Sequence, residues 1–221
     1  MKITAEFITS ATGAADFPGG GLPEVALVGR SNVGKSSLIN ALLRQRIART
    51  SAAPGKTRLA NVYRVARGSS APFYLVDLPG YGFARGGSTE FESLTREYFG
   101  RERWERHSGD PVLPSGVLLV DVRHPGLTND VQAWAWLQAV TEHSALVATK
   151  IDKLARGQRI RALRELESVF EDSVTAVSAV TGEGLDELWK LIDRLASNRN
   201  NLNPRTRTIP RKETAPRPPR K

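Results

Sequence analysis

The chain of 221 residues contains no cysteine and only one methionine. Without cysteine there can be no disulfide scaffold, no thiolate-bound zinc or iron–sulfur cluster and no thiol catalysis. Its three histidines, His107, His124 and His143, lack the spacing of metal ligands. No apolar run approaches the ~18 residues that a membrane-spanning helix needs. The first ten residues, MKITAEFITS, also lack the pattern of a secretory signal. We therefore expect a cytoplasmic protein with no membrane partner.

The net charge of +9 is concentrated at the C-terminal end of the chain. Residues 197–221 hold eight basic residues and one acidic residue, which leaves 1–196 with a net charge of only +2. The same segment is rich in proline and poor in apolar side chains, so we expect a disordered basic tail. Two interpretations of this tail stay open: a solubilising terminus, or an electrostatic arm for phosphate backbones.

Apolar runs alternate with helical patterns through the rest of the chain. Six runs read as strands, and they cover residues 24–29, 60–66, 73–77, 117–121, 144–149 and 174–177. Helical patterns cover 34–45, 129–142, 155–170 and 185–196. This alternation predicts an α/β fold with a mostly parallel six-stranded sheet and helices on both faces. The Trp134 and Trp136 pair could stack on nucleic-acid bases, but its helical context favours core packing.

The first strand runs into a glycine-rich phosphate-binding motif, GRSNVGKS, which opens a helix and covers Gly29 to Ser36. Its glycines let the backbone curl so that successive N–H groups point at phosphate oxygens. Lys35 can reach the β and γ phosphates, and the hydroxyl of Ser36 can bind Mg²⁺. The full motif in a strand–loop–helix context indicates a nucleotide-binding protein.

A second motif, Asp77-Leu-Pro-Gly80, follows the strand 73–77. Asp77 at this strand end can hold Mg²⁺ through water, and the N–H of Gly80 can contact a γ phosphate. The same four residues are also a good turn sequence. Twenty residues earlier, Thr57 lies in a polar stretch where it can complete the Mg²⁺ shell when the γ phosphate is present.

A third motif predicts the choice of base. The strand 144–149 leads into Thr149-Lys-Ile-Asp152, where the carboxylate of Asp152 can accept from N1–H and the amine of guanine. Asp152 could instead cap the helix that follows. The stem of Lys150 would lie along the base, and the segment Val177-Ser178-Ala179 can present backbone N–H groups to the guanine O6.

The order of these motifs resembles that of GTPases with a Ras-like G domain. The strings LPEVALVGRSNVGKSSLIN, PGKT, VDLPGYG and ATKIDKL are most similar to the EngB (YihA/YsxC) family of ribosome-assembly GTPases. The similarity covers residues 3–196, and Thr149 in place of asparagine is usual for that family. The tail is not part of the shared pattern. The implied domain organisation is an N-terminal extension over 1–22 that packs on a G domain over 23–196, followed by the tail.

The resemblance implies a GTPase that binds GTP and GDP with Mg²⁺. We expect a monomer, and the residue that follows Gly80 leads us to expect slow hydrolysis of GTP. It further implies a molecular switch that binds the large ribosomal subunit precursor and its rRNA, with roles in cell division and septation. The family's metal ligands map onto Ser36 and Thr57, to which the strand-end position adds Asp77, and we assign catalytic roles to Lys35, Thr57 and Asn32. Nucleotide contacts map onto Gly29, Arg30, Ser31, Asn32, Val33, Gly34, Lys35, Ser36, Gly55, Lys56, Thr57, Arg58, Leu59, Asp77, Leu78, Pro79, Gly80, Thr149, Lys150, Ile151, Asp152, Val177, Ser178 and Ala179.

One position departs from Ras-type chemistry. Tyr81 stands where Ras-like enzymes carry the glutamine that orients the attacking water, and a phenol is a poor substitute for that amide. Arg85 lies nearby, but no arginine finger can be identified in the chain. Related GTPases pair a phosphate-loop asparagine with a K⁺ ion that stabilises the transition state. Asn32 occupies that place here, so the resemblance makes K⁺ assistance one way in which hydrolysis could proceed.

Three functions are compatible with a phosphate-binding loop: a GTP-driven switch on a ribosomal particle, an RNA-binding assembly module that binds through its basic tail and holds the nucleotide as a structural ligand, and a small-molecule kinase. The Thr57 and Asp152 motifs argue against the kinase. The near-neutral body argues against RNA binding as the main role of the folded part. The sequence therefore favours the GTP-driven switch.

Overall fold

The structure, a computed structural model, describes residues 2–18, 21–49, 59–81, 89–100 and 113–197. The predicted tail lies outside these residues, apart from Ser197. The described part forms one seven-stranded sheet with helices on both faces. Its strands are β1 (Ile3–Ala11), β2 (Glu24–Gly29), β3 (Ala60–Arg67), β4 (Phe73–Asp77), β5 (Ser115–Asp121), β6 (Ser144–Thr149) and β7 (Val174–Ala176).

The strand order is β1-β3-β4-β2-β5-β6-β7. The five strands from β4 to β7 in this order run parallel, whereas β1 and β3 form the antiparallel edge. The carboxyl ends of the parallel strands therefore lie on one side of the sheet, where open α/β sheets bind ligands.

The prediction of six strands was wrong, because the N-terminal segment adds a seventh strand at the sheet edge. β1 pairs with β3 from Ile3 opposite Arg67 to Ala11 opposite Ala60, with a bulge between Phe7 and Thr9. A bulge adds a residue to one strand and breaks the alternation of apolar and polar side chains that marks a strand in a sequence.

The helices are α1 (Lys35–Leu43), α2 (Thr89–Phe99), α3 (Thr128–Val140), α4 (Arg156–Phe170) and α5 (Leu185–Ser197). The sequence predicted all of them within two residues except α2. That helix buries Leu94, Tyr98 and Phe99. Among the described residues, no helix is both long enough and apolar enough to span a lipid bilayer.

Alternate residues of the central strands supply two apolar cores. Ala26 and Val28 of β2 face the core beneath α2, α3 and α4, whereas Val25 and Leu27 face the core beneath α1 and α5. Trp134 belongs to the first core, and Trp136 packs edge-on against Phe99 at 5.4 Å between ring centroids. The prediction of core packing for the tryptophan pair is therefore confirmed.

Candidate nucleotide-binding site

The phosphate-binding motif connects the end of β2 to the start of α1. Gly34 caps α1 with φ of 103°, and Asn32 has φ of 64°. The left-handed backbone at Gly34 favours glycine because a Cβ atom is strained there. Gly29 also has little room, since a Cβ atom would lie 3.0 Å from the carbonyl oxygen of Leu119. The loop backbone is therefore fixed in a tight curl at the amino end of a helix, which favours anions.

Two buried charges meet behind this loop. Nζ of Lys35 lies 2.7 Å from Oδ1 of Asp77, and both side chains are almost fully buried. That oxygen accepts no hydrogen bond from the described residues, so the contact is an ion pair without hydrogen-bond geometry. Lys35 begins α1 and Asp77 ends β4, so neighbouring elements place both groups at the same edge of the sheet.

These groups fit a magnesium ion bound together with nucleotide phosphates. The buried oxygen of Asp77 accepts no hydrogen bond and is of the hard type that Mg²⁺ prefers, and Ser36 lies half-buried in the first turn of α1. Among the described residues no cluster of three or more acidic or histidine side chains could hold a metal ion alone. Mg²⁺ at phosphate sites typically takes one or two protein ligands and completes its shell with phosphate and water.

The segment after Asp77 lies against the phosphate loop. The N–H of Ser31 donates to the carbonyl of Tyr81 at 2.9 Å, and the N–H of Tyr81 donates to the carbonyl of Gly29 at 3.3 Å. A Cβ atom on Gly80 would lie only 2.9 Å from the backbone of Ser31. Glycine at this position therefore permits the close approach of the two loops.

Thr149 and Lys150 connect the end of β6 to the phosphate loop. The buried hydroxyl of Thr149 donates to the carbonyl of Val33 at 2.7 Å. Nζ of Lys150 donates to the carbonyl of Asn32 at 2.6 Å and to Oδ2 of Asp121 at 3.0 Å. Both side chains therefore hold the loop in place, and Lys150 crosses it close to Gly34.

Asp121 at the end of β5 completes this network. Burial alone would raise the pKa of its carboxyl, but hydrogen bonds from Arg123 and Lys150 outweigh that effect and hold the pKa well below its usual range. Asp121 thus keeps a negative charge that anchors both cations. Our sequence interpretation missed this role, although Asp121 stands at a strand end like the other site residues.

Asp152 lies in a short 3-10 turn over Ile151–Lys153. Its Oδ1 accepts the hydroxyl of Ser178 at 2.7 Å, and this bond is the main reason why the pKa of Asp152 is lowered. The residue at the N-cap of α4 is Ala155, so the alternative that Asp152 caps that helix is wrong. A charged carboxylate is thus held at the edge of the site.

Ser178 orders the loop beside Asp152. Its hydroxyl oxygen also accepts from the N–H groups of Val180 and Thr181 at 3.2 and 3.1 Å. The N–H of Ser178 donates to Glu183, and that of Val177 donates to Ala148. The sequence predicted only backbone contacts at this segment, because nothing in one sequence indicates that the Ser178 hydroxyl reaches Asp152.

The remaining predicted site residues fall into three groups. Gly55, Lys56, Thr57 and Arg58 lie outside the described residues, as does Arg85. Leu59 is exposed just before β3. Several side chains belong to the cores or lie buried, so only their backbone atoms can face a ligand; these are Val33, Leu78, Pro79, Ile151 and Val177.

The site combines a phosphate loop, the buried pair of Lys35 and Asp77, and the carboxylate of Asp152, which follows β6. The same three features occur together in G domains. Residues 24–150 match the family model described as 50S ribosome-binding GTPase. Two solved structures share the fold at less than 25% identity. One is an Aquifex aeolicus Era variant bound to GDP·AlF4⁻, with 23% identity, TM-score 0.65 and coverage of 82% of this chain and 59% of that chain. The other is an EngB structure, with 22% identity, TM-score 0.58 and coverage of 80% and 99%. The fold and site thus define a P-loop GTPase G domain.

The closer classification comes from sequence relatives. The GTP-binding protein EngB of Pelotomaculum thermopropionicum is 43% identical over 205 residues, which cover 88% of this chain and 96% of the relative. EngB of Geobacillus kaustophilus is 42% identical over 190 residues, with coverage of 84% and 93%. The chain belongs to the EngB family of GTP-binding proteins. This confirms the family, the G-domain fold and GTPase activity predicted from the sequence.

Proposed function

We propose that the protein is a cytoplasmic, guanine-specific and Mg²⁺-dependent GTP switch. The observation that carries this proposal is the placement of Asp152. Its charged carboxylate is held by Ser178 at the same sheet edge as the phosphate loop. A carboxylate can pair with N1–H and the amine of guanine, whereas adenine would leave it without a partner.

The other site residues take roles that fit this placement. The phosphate loop, Gly29 to Ser36, wraps the phosphates, and Lys35 exchanges its contact with Asp77 for the β and γ oxygens. Mg²⁺, held by Ser36, Thr57 and water on Asp77, would neutralise charge on those oxygens when it is bound. The N–H of Gly80 faces the γ phosphate.

In the last motif, Val177 to Ala179, two of the three backbone N–H groups already have hydrogen-bond partners. The N–H groups of Val177 and Ser178 donate to other carbonyls in the structure. Our proposal for the guanine O6 therefore rests on the N–H of Ala179. Thr149 supports the site by holding the phosphate loop, and Lys150 contributes its stem beside the base.

Slow hydrolysis follows from the chemistry of Tyr81. Its hydroxyl donates to the buried carboxylate of Asp130 at 2.8 Å. The hydroxyl therefore points into the core and does not orient an attacking water. Asn32 remains our candidate for K⁺ assistance, and Thr57 for closure on the γ phosphate. This arrangement supports slow turnover that a partner accelerates.

The partner that we propose is the precursor of the large ribosomal subunit and its rRNA, with consequences for cell division and septation. The matching family model is described as 50S ribosome-binding GTPase, which supports this choice. The chain would bind the particle as a monomer. Co-sedimentation with ribosomal subunits under GTP, GDP and no nucleotide tests the partner, and equal sedimentation in all three would contradict the switch.

The substitution Asp152→Asn tests the base. We expect weaker binding of GDP and a gain for xanthosine diphosphate, because the amide donates where guanine requires an acceptor. Competition with a fluorescent nucleotide measures both affinities. Asp172→Asn, at an exposed turn remote from the motifs, is the control and should leave both unchanged. Unaltered GDP affinity without a xanthosine gain would remove Asp152 from the site.

A further inference from the structure

Three elements of the molecule meet at one buried carboxylate, that of Asp130. Asp130 lies in the first turn of α3 and is 1% exposed. Its Oδ1 accepts the hydroxyl of Tyr81 at 2.8 Å, and Nε of Arg30 lies 4.0 Å from the same oxygen. Tyr81 follows Gly80, and Arg30 belongs to the phosphate loop. The cluster therefore links α3 to both loops that would contact phosphate.

Tyr81 is fixed at both of its ends. Its backbone bridges to Arg30 and exchanges hydrogen bonds with Ser31 and Gly29, while its ring runs into the core to reach Asp130. The preceding residue, Gly80, touches the backbone of Ser31 so closely that a Cβ atom would not fit. Holding the ring of Tyr81 therefore also limits where the N–H of Gly80 can point.

Removal of the Tyr81 hydroxyl would take away the hydrogen bond that it donates to the buried carboxylate of Asp130. Burial raises the pKa of Asp130, and the Tyr81 hydrogen bond and the Arg30 charge oppose that rise. At 4.0 Å the Arg30 contact is too long for a hydrogen bond, and Nε of Arg30 has no hydrogen-bond partner among the described residues. A buried carboxylate that loses its donor is strongly destabilised, so the local structure will shift to compensate.

We propose that Asp130 is a positioning residue for GTP recognition, which acts through Tyr81 to keep the N–H of Gly80 aimed at the terminal phosphate. This role rests on the proposed nucleotide site. GDP lacks the γ phosphate, which is the terminal phosphate of GTP, so the anchor affects the preference for GTP over GDP and leaves GDP affinity unchanged. Because Asp130 lies on α3, it also makes this helix part of the machinery that distinguishes the two nucleotides.

A matched pair of tyrosines tests the proposal. Tyr98 also donates from a buried hydroxyl to a buried carboxylate, Oε2 of Glu24 at 2.9 Å, but at the opposite end of β2. Tyr81→Phe and Tyr98→Phe in the full chain therefore remove the same atom from similar bonds. Both should lower the midpoint of thermal unfolding. Only Tyr81→Phe should weaken binding of a non-hydrolysable GTP analogue relative to GDP, by about tenfold, the size of one hydrogen bond to a charged group.

Variants of Asp130 test the same interaction from its acceptor side. Asp130→Asn keeps an acceptor for the hydroxyl and should retain most of the GTP preference, whereas Asp130→Leu should lose it as Tyr81→Phe does. In the double variant Tyr81→Phe with Asp130→Leu, the losses should not add, because both changes remove one interaction.

Two results would overturn the proposal: a Tyr81→Phe variant with the GTP preference of the unaltered chain, or equal losses of GTP and GDP affinity. Failure of the base assignment is a separate result. It would show as absent xanthosine binding in Asp152→Asn while Tyr81→Phe still lowers the GTP preference.

Discussion

One neighbouring hydroxyl is the main reason why the pKa of the Asp152 carboxyl lies below its ordinary value. The hydrogen bond from Ser178 lowers the pKa of Asp152, and a further contact comes from Lys153 at 3.3 Å. A carboxylate must be ionised to accept the two guanine donors. If Asp152 binds the base as we propose, guanine binding is present above the pKa of Asp152 in the folded protein and is lost as the pH falls through that value.

Substitution of Ser178 by alanine should move this loss to higher pH. Without its main cause, the lowered pKa returns toward the ordinary aspartate value of about 3.9, so binding of a fluorescent GDP analogue should begin to fall at a higher pH than in the unaltered chain. Titration of GDP affinity from about pH 5.5 down to about pH 2.5, a range that includes the ordinary aspartate value and the values below it, measures the shift.

The control is Ser173→Ala, which removes a serine that contacts Asp172 in an exposed turn. It should leave the pH profile of GDP binding unchanged. If Ser178→Ala has the same profile as this control, the hydroxyl does not govern the charge of Asp152.

At the scale of elements, Arg67 adds polar contacts between β3 and α5 to the apolar core that the two elements share. Arg67 pairs with Asp193, and its guanidinium lies 5.0 Å from the ring centroid of Trp189. The pair is partly exposed, so each contact contributes modestly. The combination holds the antiparallel edge of the sheet against the last helix.

Arg67→Ala should lower the free energy of unfolding by about 1–2 kcal/mol, because it removes both the ion pair and the cation–π contact. Urea denaturation measures the change. Nucleotide affinity should stay the same, since the contact lies outside the candidate site. Arg64→Ala, an exposed arginine on the same strand, is the control and should change stability by less than about 0.5 kcal/mol. Equal effects of the two variants would show that the contacts of Arg67 with Asp193 and Trp189 do not stabilise the fold.

At the scale of the whole molecule, the basic charge and the proposed nucleotide contacts lie in different parts of the chain. Every proposed nucleotide contact lies before residue 180, whereas a net charge of +7 lies in residues 197–221. α5 ends at Ser197, so a chain that stops there keeps all the described elements. We propose that the tail strengthens binding to the ribosomal particle without choosing the site, because contacts with phosphates carry no sequence information.

Deletion of residues 198–221 should flatten the dependence of particle affinity on salt. Each phosphate contact that is lost reduces the slope of log affinity against log salt by about 0.7–0.9. Co-sedimentation at several salt concentrations measures this slope. GTP affinity is the internal control and should stay constant. An unchanged slope would show that the tail has no part in binding the particle, and lost GTP affinity would place the domain boundary elsewhere.

The order of the elements and the chemical motifs could be predicted from the sequence because both depend on local patterns. Buried parallel strands appear as continuous apolar runs, such as Val25 to Val28, and the phosphate loop requires glycines at fixed spacing. β1 and α2 were missed for the opposite reason. The bulge after Phe7 interrupts the alternation that marks a strand. In α2, Leu94 and Tyr98 could be recognised as a buried face only from their contacts with the core.

Long-range partners were decided by the tertiary structure. The Ser178 hydroxyl reaches Asp152 across 26 residues, and Tyr81 reaches Asp130 across 49. No local pattern encodes such pairs, because the sheet order brings together strand ends that are distant in the chain. The sequence by itself determined the family and indicated the groups that we propose to bind a guanine nucleotide. Only the packed sheet decided which neighbours fix their charge and direction, since hydrogen bonds and burial depend on distance in space.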